Sequence, residues 1–211
     1  MSQNQQVVSP TSTKPKSHFE TAPWLNGLVF FGLILAGVGA RLLCRDIPNF
    51  APVAALALFA GYFFTSRILA IMIPLMVMLV SDFILGAYNP GLMIVVYGML
   101  TLPVMLSGLL RKHLNFRSDG PKAIAFSSLG IIGCSVMASL AFFFVTNLAV
   151  WYQASWYTRD AAGLWQCYLQ ALPFFRYTLS GALLFTTVLF GGHALVTARS
   201  TILAPVSAER A

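Results

Sequence analysis

Long runs of apolar residues, broken only by short polar segments, constrain this chain more than any other feature. They fall at about 24–43, 51–65, 68–87, 91–110, 122–150 and 174–198. A helix needs about 20 apolar residues, at about 1.5 Å each, to cross the ~30 Å hydrocarbon core of a bilayer. With 58% hydrophobic and 9% charged residues, the chain reads as an integral membrane protein. The expected fold is all-α and polytopic, with six transmembrane helices. The second run is the weak one: about fifteen residues give roughly 22 Å, so it begins lower in the bilayer or is partly re-entrant. Ala51 and Pro52 suit a helix start there. Ala54, Ala57 and Gly61 form a small-residue stripe that lets another backbone approach closely, either a neighbouring helix or a partner protein.

Residues 1–23 are rich in Ser, Thr, Gln and Pro, a composition that cannot bury apolar surface. They are expected to form a disordered tail, followed by a single membrane domain over 24–199 and a second short tail over 200–211. Lys14, Lys16 and the small residues from Ala36 to Ala40 give the first run some likeness to a signal peptide. Its leading segment is too long for one, and a retained helix keeps the topology consistent.

The net charge of +7 raises nucleic acid as a partner, but no basic face interleaved with aromatics accompanies it, and that reading is rejected. The cations mark topology instead. Lys14, Lys16, Arg67, Arg111, Lys112, Arg117, Lys122, Arg199 and Arg210 share one side of a six-span arrangement, and Arg41, Arg45, Arg159 and Arg176 share the other. By the positive-inside rule both termini are expected to be cytoplasmic.

Asp82 is the only carboxylate within any apolar run. An ionised side chain at membrane depth costs at least about 2.5 kcal/mol on insertion scales, so Asp82 must face protein or water and needs a partner. It lies about 7 Å below the outer end of its span. Asn147 falls at similar depth, Arg41 closes span one on the same side, and Arg176 begins span six, where the helix dipole disfavours a cation. Arg176 is therefore expected to meet an anion, either Asp82 or a ligand. Asp46, Asn49, Asn89, Gln166 and Gln170 add polar groups on that face. The candidate substrate-binding set is Asp82, Asn147, Arg176, Asn49, Arg41 and Gln170, around a pocket opening outward. An Asp82–Arg ion pair that only locks helices accounts for the same residues.

The segment from Trp151 to Pro173 combines aromatics with polar groups and is expected at the outer interface. Asp160 suits the cap of an interfacial helix carrying Leu164, Tyr168 and Leu172, with Pro173 in the first turn of span six. It serves either as an aromatic belt or as a lid. His18, His113 and His193 are too scattered for a metal site. Cys44 and Cys167 share the outer side and admit a disulfide there, whereas Cys134 lies within a span. No nucleophile elbow, phosphate loop or metalloprotease motif is present, so neither catalysis nor a cofactor is expected.

Four strings carry a resemblance: Pro48-Asn49-Phe50-Ala51-Pro52 running on to Phe59; Ser81-Asp82-Phe83-Ile84-Leu85-Gly86; Val145-Thr146-Asn147 with Trp151; and Cys167-Tyr168 with Ala171-Leu172-Pro173-Phe174-Phe175-Arg176. Over roughly residues 25–195 the chain resembles a bacterial family of small integral membrane proteins without an established activity. Members often carry an acid after the Gly of the last motif, where this chain has Gly181-Ala182. The chain is also similar to the substrate-binding subunits of energy-coupling-factor transporters, six-helix proteins of this size. That resemblance implies an outward pocket for a vitamin-like small molecule and docking of a membrane coupling protein on the Ala-rich second helix. The readings that follow are a substrate-capturing transporter subunit, an accessory or assembly subunit of a membrane complex and, with least support, a proton-coupled carrier.

Overall fold

The computed structural model describes residues 23–113 and 121–203. The tails expected at the two ends lie largely outside the described residues. Six helices account for the fold, and no strand occurs among the described residues: α1 (Pro23–Leu43), α2 (Val53–Phe63), α3 (Arg67–Leu85), α4 (Pro90–His113), α5 (Pro121–Gln153) and α6 (Ala161–Leu203). Five are long and apolar enough to cross a membrane. Their outer faces carry large apolar side chains suited to lipid, with Leu35 73%, Phe83 91% and Ile94 75% exposed.

Six helices are present as expected, and the second is too short to be a full span. Helix α2 has only 11 residues, about 16 Å, which is half the bilayer core. It is apolar all round, the pattern of a helix that must be surrounded by protein. The other five helices all touch it, and residues Val53 and Ala55 through Gly61 are buried. Around it α1, α3, α4, α5 and α6 follow one another in an arc, and α1 and α6 do not touch among the described residues. The upper end of the bundle carries the ends of α1, α3 and α5 and the starts of α4 and α6. Helix α2 occupies the lower half only.

Close approach explains the small residues. A side chain at Gly61 would collide with the Ser107 hydroxyl and come within 2.9 Å of the Val104 Cα on α4. At Gly37 of α1 it would meet Leu56 at 2.6 Å and Val77 at 2.7 Å. Ala57 is fully buried. Of the stripe, Ala57 and Gly61 are buried inside the bundle, and Ala54 is half-buried and lines the cavity described below. Sequence periodicity marks such a stripe without saying whether the neighbour is the chain itself.

The segment between α5 and α6 also differs from expectation. No separate interfacial helix precedes span six: α6 runs unbroken through Pro173. Its upper part follows α5, with the Tyr168 hydroxyl donating to the Phe144 carbonyl at 2.9 Å and the Cys167 thiol to the Asn147 carbonyl at 3.5 Å. Asp160 does cap the helix, accepting from the Gly163 N–H at 2.7 Å. That bond, with one from the Thr158 hydroxyl, holds its carboxyl below the usual carboxylate range, so the cap is lost only in acid. Arg159 donates to the Trp151 carbonyl at the end of α5, where the helix dipole favours a cation.

Gly61→Val tests the packing of α2. Overpacking against the α4 backbone is expected to destabilise the purified protein by about 1–3 kcal/mol, read as a lowered melting temperature. An unchanged melting temperature would contradict so close a contact.

Candidate functional site

Because α2 begins halfway down, the chain reaches it through residues 44–52, which descend from the end of α1 and pack Phe50 and Ala51 against Gly181 of α6. The descent begins with a turn. The Phe50 N–H bonds the Ile47 carbonyl at 3.3 Å, Pro48 takes the second position, and Asn49 takes the third with φ 60°. Pro followed by a left-handed Asn is the signature of a type II turn, since Asn tolerates positive φ better than other side-chain-bearing residues. Phe50 then anchors the segment. Its ring lies 5.7 Å from that of Phe185 and against Gly181, where an added Cβ would sit 3.2 Å from it.

Beside this segment lies a cavity of about 600 Å³, within the range of small-molecule sites. Arg41, Cys44 and Arg45 line it from the end of α1, and Tyr88 from the turn between α3 and α4. On α5 the wall is Ser139, Phe142, Phe143, Thr146, Asn147 and Val150, spaced as one helical face about 16 Å long. Ala171, Phe174, Phe175 and Thr178 face it from α6. The exposed residues Arg45, Ile47, Pro48 and Asn49 form its lip, so it opens at the upper end.

Asp82 stands behind the wall. It is 4% exposed, turned inward while its neighbour Phe83 faces out. One oxygen accepts from Arg41 Nη1 at 2.8 Å, and the other accepts from the Tyr97 hydroxyl at 2.8 Å. Arg41 Nη1 also reaches the Ser81 hydroxyl at 2.6 Å and the Met78 sulfur at 2.9 Å. The pair ties α1, α3 and α4 together at the upper end, with side chains 17% and 5% exposed. Both carboxylate oxygens are satisfied, the condition under which a buried charge is tolerated. Asp82 is therefore a positioning residue, and Arg41 is the member of the pair that lines the cavity.

Of the six residues singled out from sequence, Arg41, Asn49 and Asn147 line the cavity, and Asp82 holds Arg41 in place. Arg176 does neither. It is exposed, its guanidinium lies 4.7 Å above the Tyr177 ring, and Nη2 donates to the Tyr177 hydroxyl at 2.8 Å. Among the described residues no anion meets it, and the cation–π contact with Tyr177 stands in that place. Gln170 is also exposed and accepts from the Tyr157 hydroxyl at 3.0 Å, away from the cavity. The three cysteines are free, which removes the Cys44–Cys167 disulfide. No group of three or more His, Cys, Asp or Glu suited to a metal occurs among the described residues. Tyr97, Ser139, Thr146 and Thr178 were missed, although the polar residues of α5 recur at helical spacing in an otherwise apolar run.

Residues 22–205 match the model of DUF6580, a family of unknown function. The chain belongs to the DUF6580 family. The match spans every residue of the cavity and of the ion pair. No curated protein and no solved structure matches this DUF6580 member.

The electrostatics give two tests. Asp82→Ala strands the Arg41 charge and is expected to destabilise by about 3–5 kcal/mol, whereas Arg176→Ala is expected within about 0.5 kcal/mol of the parent. Thermal unfolding of both variants checks this, and equal effects would contradict the pairing. At the turn, Asn49→Gly is expected to leave the melting temperature nearly unchanged, and Asn49→Val to lower it through about 1–2 kcal/mol of left-handed strain. Equal tolerance of Gly and Val would contradict the turn.

Proposed function

We propose that this membrane protein captures a small molecule from the outer side of the membrane, as the substrate-binding subunit of a transporter. The cavity beside residues 44–52 carries the reading. It has the volume of a small-molecule site, apolar and aromatic walls, and a few fixed polar groups, the composition of sites that orient a ligand. Its polar wall supports binding over a purely structural void, because Ser139, Thr146 and Asn147 set hydrogen-bonding groups along an otherwise apolar helix face that lines it.

The charge distribution supports the outward direction. Arg67 and Arg111 lie at the lower end, and with the basic residues of 112–122 they make that end cytoplasmic under the positive-inside rule. The cavity mouth then faces out. Transport itself would require a coupling partner, since six helices without an internal repeat do not suggest a complete alternating-access carrier.

Native mass spectrometry of protein released from lipid nanodiscs tests capture. The parent protein and Arg176→Ala are expected to carry a bound small molecule, and Ala171→Trp with Val150→Trp, which fills the cavity, is expected to lose it. An empty parent protein, or the same bound mass in the filled variant, would contradict the proposal.

A further inference from the structure

The cavity wall separates hydrogen-bond donors from acceptors. At the mouth, Arg41 spends only Nη1 on the protein, on Met78, Ser81 and Asp82. Its Nε and Nη2 have no protein hydrogen-bond partner among the described residues. That edge is the flat fork that matches a carboxylate with two parallel N–H bonds. Arg45 stands beside it, held only by a 3.8 Å contact with Asp46 and with its side chain 67% exposed. Tyr88 remains a neutral phenol there, since burial and then the Asp82 charge push its pKa up to about 12.

On α5 and α6 the polarity reverses. Ser139 donates its hydroxyl proton to the Ser135 carbonyl at 2.9 Å, Thr146 to Phe142 at 2.7 Å, and Thr178 to Phe174 at 3.3 Å. Asn147 donates its amide to the Phe143 carbonyl at 2.7 Å. With their single protons committed to the helix backbone, the Ser and Thr hydroxyl oxygens are left as acceptors, while Asn147 keeps its oxygen and one amide N–H. Thr146 lies about 10 Å below the end of α5, and Ser139 about 21 Å below it. Between mouth and floor stand the rings of Phe142, Phe143, Phe174 and Phe175, with Phe143 and Phe175 centroids 4.8 Å apart.

We infer that the ligand is a flat, largely apolar monocarboxylate bearing an O–H or N–H donor at the end opposite its carboxylate. The carboxylate lies on the Nε and Nη2 edge of Arg41, the ring system lies against the phenylalanines, and the distal donor meets Ser139 or Thr178, which lie beyond those rings. Asp82 and Asp46 offset much of the cationic charge at the mouth. Selection therefore comes from the direction of the donors more than from net field, and a simple inorganic anion would leave the aromatic wall unused. Each end is selective because a group lacking its counterpart leaves a desolvated polar atom unpaired.

This inference rests on the capture reading and is tested separately from it by titrating the protein in nanodiscs with three probes. These are 6-hydroxy-2-naphthoate, 2-naphthoate without the donor, and 2-naphthol without the carboxylate. The first is expected to bind about tenfold more tightly than either of the others. Arg41→Gln combined with Asp82→Asn, which removes the pair without stranding a charge, is expected to erase the advantage over 2-naphthol. Arg45→Gln, at an exposed site that does not endanger folding, is expected to reduce it. Ser139→Ala with Thr178→Val is expected to erase the advantage over 2-naphthoate and leave the carboxylate preference intact. Equal affinities, preferences unmoved by these variants, or no binding of any probe would overturn the ligand class. If a co-purified molecule were still lost from the cavity-filled variant, the capture reading would stand without it.

Discussion

A helix of eleven residues cannot cross a bilayer, and the architecture of this protein follows from having one at its centre. Helix α2 fills the lower half of the arc formed by the other five, so the upper half must be occupied by something else. What occupies it is the irregular segment 44–52 and a cavity. Irregular backbone at membrane depth is tolerated only inside protein or beside water, because lipid satisfies no N–H or C=O group. The cavity is thus the natural companion of the shortened helix.

The second constraint is the buried acid. Asp82 would be prohibitive alone, and Arg41 and Tyr97 make it tolerable by using both carboxylate oxygens. The arrangement also fixes Arg41, a long side chain that would otherwise sample many rotamers, by holding its Nη1 on α3 while the residue lines the cavity. An acid behind the wall therefore sets the direction of a cation in it. Arg176, by contrast, is stacked outside on its own neighbour Tyr177. Equal depth along the membrane normal did not imply a shared interior.

Much of this was legible in the sequence because it depends on local rules. Run length marked the membrane helices and singled out α2 as too short, and the energetic demand of Asp82 announced a partner; the turn at Pro48-Asn49 became evident only in the structure. The orientation of side chains around each helix was less legible. Depth placed Arg41, Arg176 and Asn147 together, but only packing decided that Arg176 and Gln170 point outward. Pro173 looked like a helix start because it lacks an N–H, yet contacts from Cys167 and Tyr168 to α5 carry α6 through it. The small residues of α2 showed that a backbone comes close without showing that it belongs to α4. Tyr97 carried no signal, since its role exists only once α3 and α4 pack.

Accessibility of the cavity wall tests the central claim, that the space left by α2 opens to the outer side of the membrane. In a variant with Cys44, Cys134 and Cys167 replaced by Ser or Ala, single Thr146→Cys and Ile131→Cys substitutions are treated with a membrane-impermeant thiol reagent added outside intact cells. Thr146 lines the cavity and Ile131 is buried in the core beneath it. Rapid labelling at position 146 with none at 131 is the predicted result. Labelling at 146 only from the cytoplasmic side, or at neither position from either side, would contradict the account.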